Sequence, residues 1–376
     1  MKSHRIAVLM LCLLLLSGCT DPGRVQSIFQ GKEESAPEAE ESRQEESTVQ
    51  AESQPEESSS EDSQEETKTE GSWYISSVKY YNEDGSMDQW EEYTYDENGN
   101  LIQTTDYTED GIIEKVVKKQ YNADGTLQTS EYDAEGRLVT YSVDSYDEQG
   151  QQILREVYDG QDQLLESIEM QYDAQGNQIY FAHFDGDGNC LSLKESTYDE
   201  YGNRTYYRVV SQSGSEQIFT NEYVYDEEGR MLERAYYYDG TLNGTEVYEY
   251  DEEGRLISMQ DGNTETRYWY ENGLMVKKYE KTNFAFYTEY TYDEKENLVF
   301  ERCYSASDLS PSYSIQYQYD DQGNCLSQTY TDGFGDSYVM VESIYDEFGN
   351  ERSFIQYNAE GEVISVRETE YIFIEA

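Results

Sequence analysis

Aromatic and apolar side chains recur at every second position through most of this chain. Tyr93/Tyr95, Tyr223/Tyr225, Tyr248/Tyr250, Tyr268/Tyr270, Tyr290/Tyr292 and Tyr317/Tyr319 are all i, i+2 pairs, separated by Thr, Val, Glu, Trp and Gln. Residues two apart share one face of a strand, so each pair predicts a β-strand with an aromatic face. No stretch from residue 72 onward holds a helical apolar stripe. The predicted fold class is all-β.

What separates the strands is equally regular. Tyr-Asp-x-x-Gly-(Asn/Arg)-Leu returns about every thirteen residues, as in Tyr95-Asp96-Glu97-Asn98-Gly99-Asn100-Leu101 and Tyr250-Asp251-Glu252-Glu253-Gly254-Arg255-Leu256. Its clearest copies start at Tyr95, Tyr121, Tyr146, Tyr172, Tyr198, Tyr225 and Tyr250, and a weaker series interleaves at Tyr81, Tyr107, Tyr132, Tyr158 and Phe184. Asp opening a type I turn accepts backbone hydrogen bonds, and Gly at its fourth position supplies a positive φ. Together they make a three-residue hairpin loop closed by a glycine bulge. That geometry sets Tyr95 opposite Leu101 and Tyr250 opposite Leu256. The unit is a β-hairpin of about 26 residues.

An extended antiparallel hairpin array of twenty-odd strands, each about nine residues and about 30 Å long, exceeds the roughly ten strands that an open twisted sheet tolerates. The sheet is therefore expected to coil or spiral. Between Arg255 and Pro311 the turn signals crowd together and Glu296 takes a glycine position. Shorter strands are expected there. Because the repeat departs from itself in this stretch, it is also where local function is expected.

The amino-terminal region belongs to another class. Residues 1–19 carry Lys2 and Arg5 before an apolar stretch from Ile6 to Leu16 and end in Leu16-Ser17-Gly18-Cys19. The stretch is too short to span a bilayer comfortably and has the layout of a processing segment. Its end resembles a bacterial lipobox, which implies a lipoprotein signal peptide, diacylglycerol on Cys19 as the mature N-terminus, and an extracytoplasmic, membrane-anchored location. That location is the outer face of the cytoplasmic membrane, or the outer membrane in a two-membrane cell. Two acyl chains suffice for stable anchoring. Residues 20–71 are Glu, Ser and Gln with few apolar side chains, a composition that predicts a disordered, self-repelling tether. Residues 72–376 form the array.

The chain carries −54 overall, with +2 in residues 1–19 and −12 in 20–71, so the array holds −44. Such charge repels nucleic acid. Much of it sits in turns, where solvated carboxylates discourage strand edges from aggregating. Acidic turns on one rim would form rows about 10 Å apart, which makes calcium the candidate cofactor. Asp185, Asp187 and Asn189 resemble the start of a calcium loop, without its bidentate Glu at the twelfth position.

Chemistry for catalysis is scarce. Past the signal segment the sole histidine is His183, mid-strand, which removes Ser-His-Asp and Cys-His nucleophiles and His-rich metal sites. No Gly-rich loop opens a helix, and no acidic pair stands out for glycosidase chemistry. Cys190, Cys303 and Cys325 contain no CxxC; Cys190 and Cys325 both follow Gly-Asn, which suggests core-facing positions and a free, buried set. The expectation is no enzyme.

Tyr accounts for 39 of 376 residues. Its ring suits a half-buried pleated surface, so core packing is its first role. An exposed Tyr/Trp face would instead stack on sugar rings. The candidate ligand-binding residues are Trp90, Trp269, Tyr268 and Tyr270, with the Lys277-Lys278 pair that interrupts the acidic array.

Tyr248-Glu249-Tyr250-Asp251-Glu252-Glu253-Gly254-Arg255-Leu256 resembles, at every defined position, the YD repeat of Rhs and wall-associated bacterial proteins. The likeness covers nearly all of residues 80–371. It implies strands spiralling into a shell on the cell exterior and adds weight to carbohydrate binding; toxin encapsulation is not carried over to this short array. The expected function is a surface-anchored, non-catalytic interaction scaffold for cell-wall or extracellular polysaccharide. The alternative is a calcium-stabilised adhesive protein that contacts other surface proteins through sheet edges and acidic rows.

Overall fold

The computed structural model describes residues 71–375; the expectations for the signal segment, Cys19 and the tether up to residue 70 lie outside the described residues. All regular structure described is antiparallel strand. The first eight strands are β1 (Gly71–Tyr81), β2 (Met87–Tyr95), β3 (Leu101–Thr108), β4 (Ile113–Tyr121), β5 (Leu127–Asp133), β6 (Leu138–Tyr146), β7 (Gln152–Asp159) and β8 (Leu164–Tyr172). Next come β9 (Gln178–Asp185), β10 (Cys190–Tyr198), β11 (Arg204–Ser211), β12 (Glu216–Tyr225), β13 (Met231–Tyr238), β14 (Thr241–Tyr250), β15 (Leu256–Asp261) and β16 (Thr264–Glu271). The last are β17 (Leu274–Lys281), β18 (Ala285–Tyr292), β19 (Leu298–Ser305), β20 (Pro311–Tyr319), β21 (Cys325–Asp332), β22 (Ser337–Tyr345), β23 (Glu351–Tyr357) and β24 (Val363–Glu375).

Each strand pairs with its neighbours in sequence, and β1 also pairs with β24. The sheet is therefore a closed ring of twenty-four strands. Lys79 reaches Glu370 at 2.8 Å and Tyr81 reaches Glu368 at 2.9 Å across the seam. Trp73 lies against Phe373 at 5.3 Å and against Phe348 at 4.8 Å. Closure removes strand edges altogether. The edge contacts of the adhesive reading thus have no free edge among the described strands.

Turn chemistry follows the sequence. In the first motif Asp96 N–H donates to the Asn100 carbonyl and Gly99 N–H to the Asp96 carbonyl, which is the expected type I turn with its glycine bulge. Asp96 Oδ1 accepts from the Asn98 and Asn100 amides, and Oδ2 from the Asn100 side chain. The bond from Asn100 holds the Asp96 carboxyl below its usual range. Where Arg replaces Asn the contact becomes an ion pair, as Arg230 makes with Asp226 at 2.6 Å. This explains the Asn/Arg alternation that turn geometry alone leaves open.

The motif's Tyr does more than face Leu. Tyr95 pairs with Leu101 and Tyr250 with Leu256, as expected. In addition its hydroxyl reaches back to the preceding hairpin. Tyr172 donates to the Gln152 carbonyl at 3.0 Å, Tyr250 to Met231 at 2.9 Å, Tyr319 to Leu298 at 2.8 Å and Tyr371 to Glu351 at 3.0 Å. Tyr95, Tyr121, Tyr198, Tyr270 and Tyr292 make the same bond. The β7–β8 register ends at Leu154 and Glu169, short of Gln152, so the tyrosine satisfies a carbonyl where the backbone ladder has run out. Tyr172→Phe keeps the ring and strands that carbonyl. Its expected cost is about 0.5–1.5 kcal/mol, read from the urea midpoint; an unchanged midpoint would show that the hydroxyl contributes nothing.

Most hairpins also shift register at the motif. Thr94 pairs with Gln103 while Tyr95 pairs with Leu101, and the same slip recurs at Tyr198, Tyr225, Tyr250, Tyr319 and Tyr345. A bulge bends its strand and tightens the local twist. Repeated around the sheet, such bends supply curvature for closure.

Cross-strand partners share a face, so register sorts the side chains. Tyr93, Tyr223, Tyr248, Tyr268, Tyr290 and Tyr313 fall on one face. Of seven buried apolar residues, five (Val78, Cys303, Ile315, Cys325 and Val341) share it; Ala182 and Tyr304 do not. This crowding marks the tyrosine face as the concave one. Desolvation there pushes up the pKa of Tyr290, Tyr313 and Glu301.

The expectation of shorter strands between Arg255 and Pro311 holds in part, and that for the cysteines needs correction. β15 has six residues, and β16 and β18 have eight, where even-numbered strands elsewhere have nine or more; β17 and β19, also of eight, match most odd-numbered strands. The spacing also shrinks in the turns. Asn272 (φ 51°) and Gly273 (φ 86°) form a two-residue hairpin loop between β16 and β17. The cysteines are free, but Cys190 is exposed while Cys303 and Cys325 are buried. Cys325 opens β21 after a turn of the main series, facing Tyr319. Cys190 opens β10 after a turn of the interleaved series, on the opposite rim, facing Phe184. The same tripeptide sits in two different turns.

Candidate functional site

The sequence-derived candidates do not converge. Trp90, on β2, stacks on Tyr107 at 3.9 Å with the rings 5° apart, so one face of each is covered. Tyr268 and Lys278 are cross-strand partners on the concave face, and Lys278 is tied to Glu280 at 2.6 Å. Tyr270 donates to the Leu256 carbonyl, with the Arg255 guanidinium 4.9 Å from its ring. These three serve the array itself. Trp269 and Lys277 are likewise cross-strand partners, on the convex face, so these candidates fall into two pairs on opposite faces of the sheet.

Around the convex pair the register builds a compact surface. Trp269, Lys277, Glu289 and Arg302 form one row across β16–β19. Tyr279, Tyr287 and Tyr304 form the row beside it. Tyr287 is the hub: its ring lies 6.3 Å from Trp269, 5.1 Å from Tyr279 and 5.5 Å from Tyr304. Lys277 Nζ sits 4.4 Å above it, a cation–π distance. The same ammonium donates to Glu289 at 3.1 Å and to the Tyr304 hydroxyl at 2.7 Å. Tyr304 in turn donates to Glu289 at 2.7 Å. The Tyr304 hydroxyl and the Lys277 ammonium hold the Glu289 carboxyl below its usual range.

The arrangement stiffens an aromatic platform. Lys277 is spoken for within it, and Trp269, 40% exposed, is the ring it offers to solvent. Tyr279, Tyr287, Glu289, Tyr304 and Arg302 escaped the sequence reading because each is unremarkable in its own strand. Counting cross-strand partners outward from the turns would have found them.

Other candidates have structural roles. The Asp185 carboxylate accepts from the Asp187 and Asn189 amides and the Asn189 side chain, like any other copy of the turn. His183 lies 2.9 Å from Glu166. Among the described residues no group of three or more His, Cys, Asp or Glu is placed to hold a metal ion. A Cβ on Gly186 would stand 2.1 Å from the Leu164 carbonyl oxygen. Gly186, between Asp185 and Asp187, therefore marks a close approach of the β9–β10 turn to the start of β8.

No family model and no curated protein matches the chain. Among solved structures it is similar to a TcdB2–TccC3 complex with Cdc42 at 14% identity and a TM-score of 0.33, over 77% of this chain and 21% of that one. TcdB2–TccC3 without its hypervariable C-terminal region gives 14% identity and a TM-score of 0.33, over 76% of this chain and 21% of that one. This chain thus spans about a fifth of those chains. A porin-like protein from Bacteroides vulgatus gives 13% identity and a TM-score of 0.23, over 80% of this chain and 99% of that one. At such scores the overlaps carry no functional argument. The convex face itself differs from a lipid-facing barrel wall: Glu195, Arg208, Glu216, Glu222 and Glu233 lie on it within strands, where a lipid-facing wall needs an apolar band. The class defined by the fold is a closed antiparallel hairpin-repeat array.

Proposed function

We propose that this chain is a non-catalytic, lipid-anchored interaction scaffold of the YD-repeat type that binds cell-wall or extracellular polysaccharide. The observation that supports the reading is the convex platform on β16–β19, where Trp269 is presented beside Tyr287, itself flanked by Tyr279 and Tyr304. Flat aromatic rings stack on the apolar faces of sugars, and a ring held by its neighbours loses little freedom on binding. Anchoring at Cys19 would keep the platform at the cell exterior.

The test has two arms. Purified chain is passed over immobilised peptidoglycan and a glycan array, beside Trp269→Ala and Trp90→Ala. Loss of an aromatic anchor costs about 2 kcal/mol, so Trp269→Ala is expected to weaken retention about thirtyfold, with Trp90→Ala near wild type. No retained glycan, or equal retention by both variants, would discard the platform. In cells, Cys19→Ala is expected to abolish membrane retention; unchanged retention would discard the anchor.

A further inference from the structure

A second exposed feature lies on the rim, in the hairpin tips beyond the strand ends. Hairpin tips between odd and even strands form one rim of the ring, and in three consecutive tips the outermost side chain is large and apolar. Phe284, between β17 and β18, is 74% exposed; Leu309, between β19 and β20, 63%; Phe334, between β21 and β22, 96%. Other tips on this rim carry Glu83-Asp84, Glu135, Asp187 and Ser213, and a single further large apolar side chain, Ile112 at 61% exposed, stands apart from the run of three in the β3–β4 tip. On the opposite rim the exposed aromatics are engaged, Phe348 against Trp73 and Tyr201 against Tyr225 at 4.3 Å. Neither Phe284 nor Phe334 has a ring neighbour among the described residues.

Turn geometry does not require these side chains. Phe334 N–H donates to Asp332 Oδ1, and Thr282 N–H to the Phe284 carbonyl, so each phenylalanine takes part through its own backbone alone, as other residues could. Successive tips are two strands apart, so the three side chains stand in a line at steps of about 10 Å. They project singly and enclose no groove between them. A protein partner would need three matched pockets at that spacing. A bilayer interface needs none, since its acyl region yields to isolated protrusions and rewards each one by apolar area removed from water.

We propose that Phe284, Leu309 and Phe334 form a three-point contact that dips into the surface of a lipid bilayer. Charge narrows the lipid. The tips are flanked by Lys281 and by Asp308, Asp332 and Asp336, within an array of net charge −44 by the count above. An anionic surface is repelled, so the contact suits a zwitterionic or neutral interface. This contact uses tip residues, whereas the polysaccharide platform uses strand residues of the convex face, of which Tyr304 lies nearest the rim, one residue from the end of β19.

The probe is phosphatidylcholine vesicles, floated with residues 71–376. This segment contains the whole closed ring, both strands of its seam included, and lacks the apolar signal segment. Wild type is expected to float with the vesicles, and F284S/L309S/F334S to partition at least tenfold less with an unchanged melting temperature. Replacing a third of the lipid by phosphatidylglycerol is expected to weaken wild-type binding at low salt. Wild type left at the bottom of the gradient, equal flotation of the triple variant, or tighter binding to the anionic vesicles would each overturn the proposal. So would sedimentation showing a wild-type dimer that the triple variant abolishes without any vesicle binding, since the tips would then join two copies.

Discussion

Ending the chain at Gly361, which removes β24, is expected to unfold the ring or drive it into aggregates. β24 is hydrogen-bonded on both sides, to β23 through Val363–Glu368 and to β1 across the seam. Its loss also removes the Tyr371 bond to Glu351 and the Phe373 ring from Trp73. At about 0.5–1.5 kcal/mol net for each ladder bond, the sum is comparable with the whole stability margin of about 5–15 kcal/mol. What remains would display β1 and β23 as free edges, templates for pairing with other chains. Light scattering on the purified truncation measures this directly. A truncated chain of unchanged mass per particle and unchanged melting temperature would mean that the seam is not formed. Breaking the seam's ion pair alone, with Lys79→Ala, should have little effect, because exposed pairs of this kind contribute about 0–1 kcal/mol.

Gly186→Ala is expected to destabilise the array by about 1–3 kcal/mol. The new methyl would stand 2.1 Å from the Leu164 carbonyl oxygen, a backbone atom that cannot rotate away. Gly160 and Gly333 meet Leu138 and Pro311 at 2.2 and 2.5 Å, so the same substitution there should fail in the same way. Gly188, two residues on, supplies the contrast. It has φ 81° and open space around it. Asn tolerates that conformation, and Glu296 already adopts φ 67° at an equivalent place. Gly188→Asn should therefore be milder than Gly186→Asn, although both alter the same acidic turn. Urea midpoints for the pair decide the matter. Equal midpoints would mean that the turn does not approach β8. A stability loss that calcium restores would instead favour the cation reading of Asp185 and Asp187.

Local features were legible from the residues, and ring-level ones were not. Asp96 and Gly99 announce a turn because their side-chain and backbone preferences act within four residues, and Tyr95 opposite Leu101 follows from that turn. The bond from Tyr172 to Gln152 depends on how two hairpins splay, which no single motif encodes. Closure is harder still, since β1 and β24 bear no complementary mark that would distinguish a ring from a spiral. For the site, Trp269 and Lys277 stood out as departures from an acidic repeat and do meet. Tyr268, one residue away, points to the other face because strand periodicity is two. Tyr287 and Tyr304 looked like core tyrosines until register placed them beside Trp269.

The backward reach of the motif tyrosines also bears on how such a chain comes to be folded. Tyr172 and Gln152 are 20 residues apart, and the other carbonyl bonds span similar distances. Lys79 and Glu370, at the seam, are 291 apart. Short-range contacts form quickly because little loop entropy is lost in making them, whereas a distant one waits. Each hairpin can therefore dock on the one before it as soon as its own tyrosine is available, in order from the amino end. Ring closure comes last, as a separate and slower event.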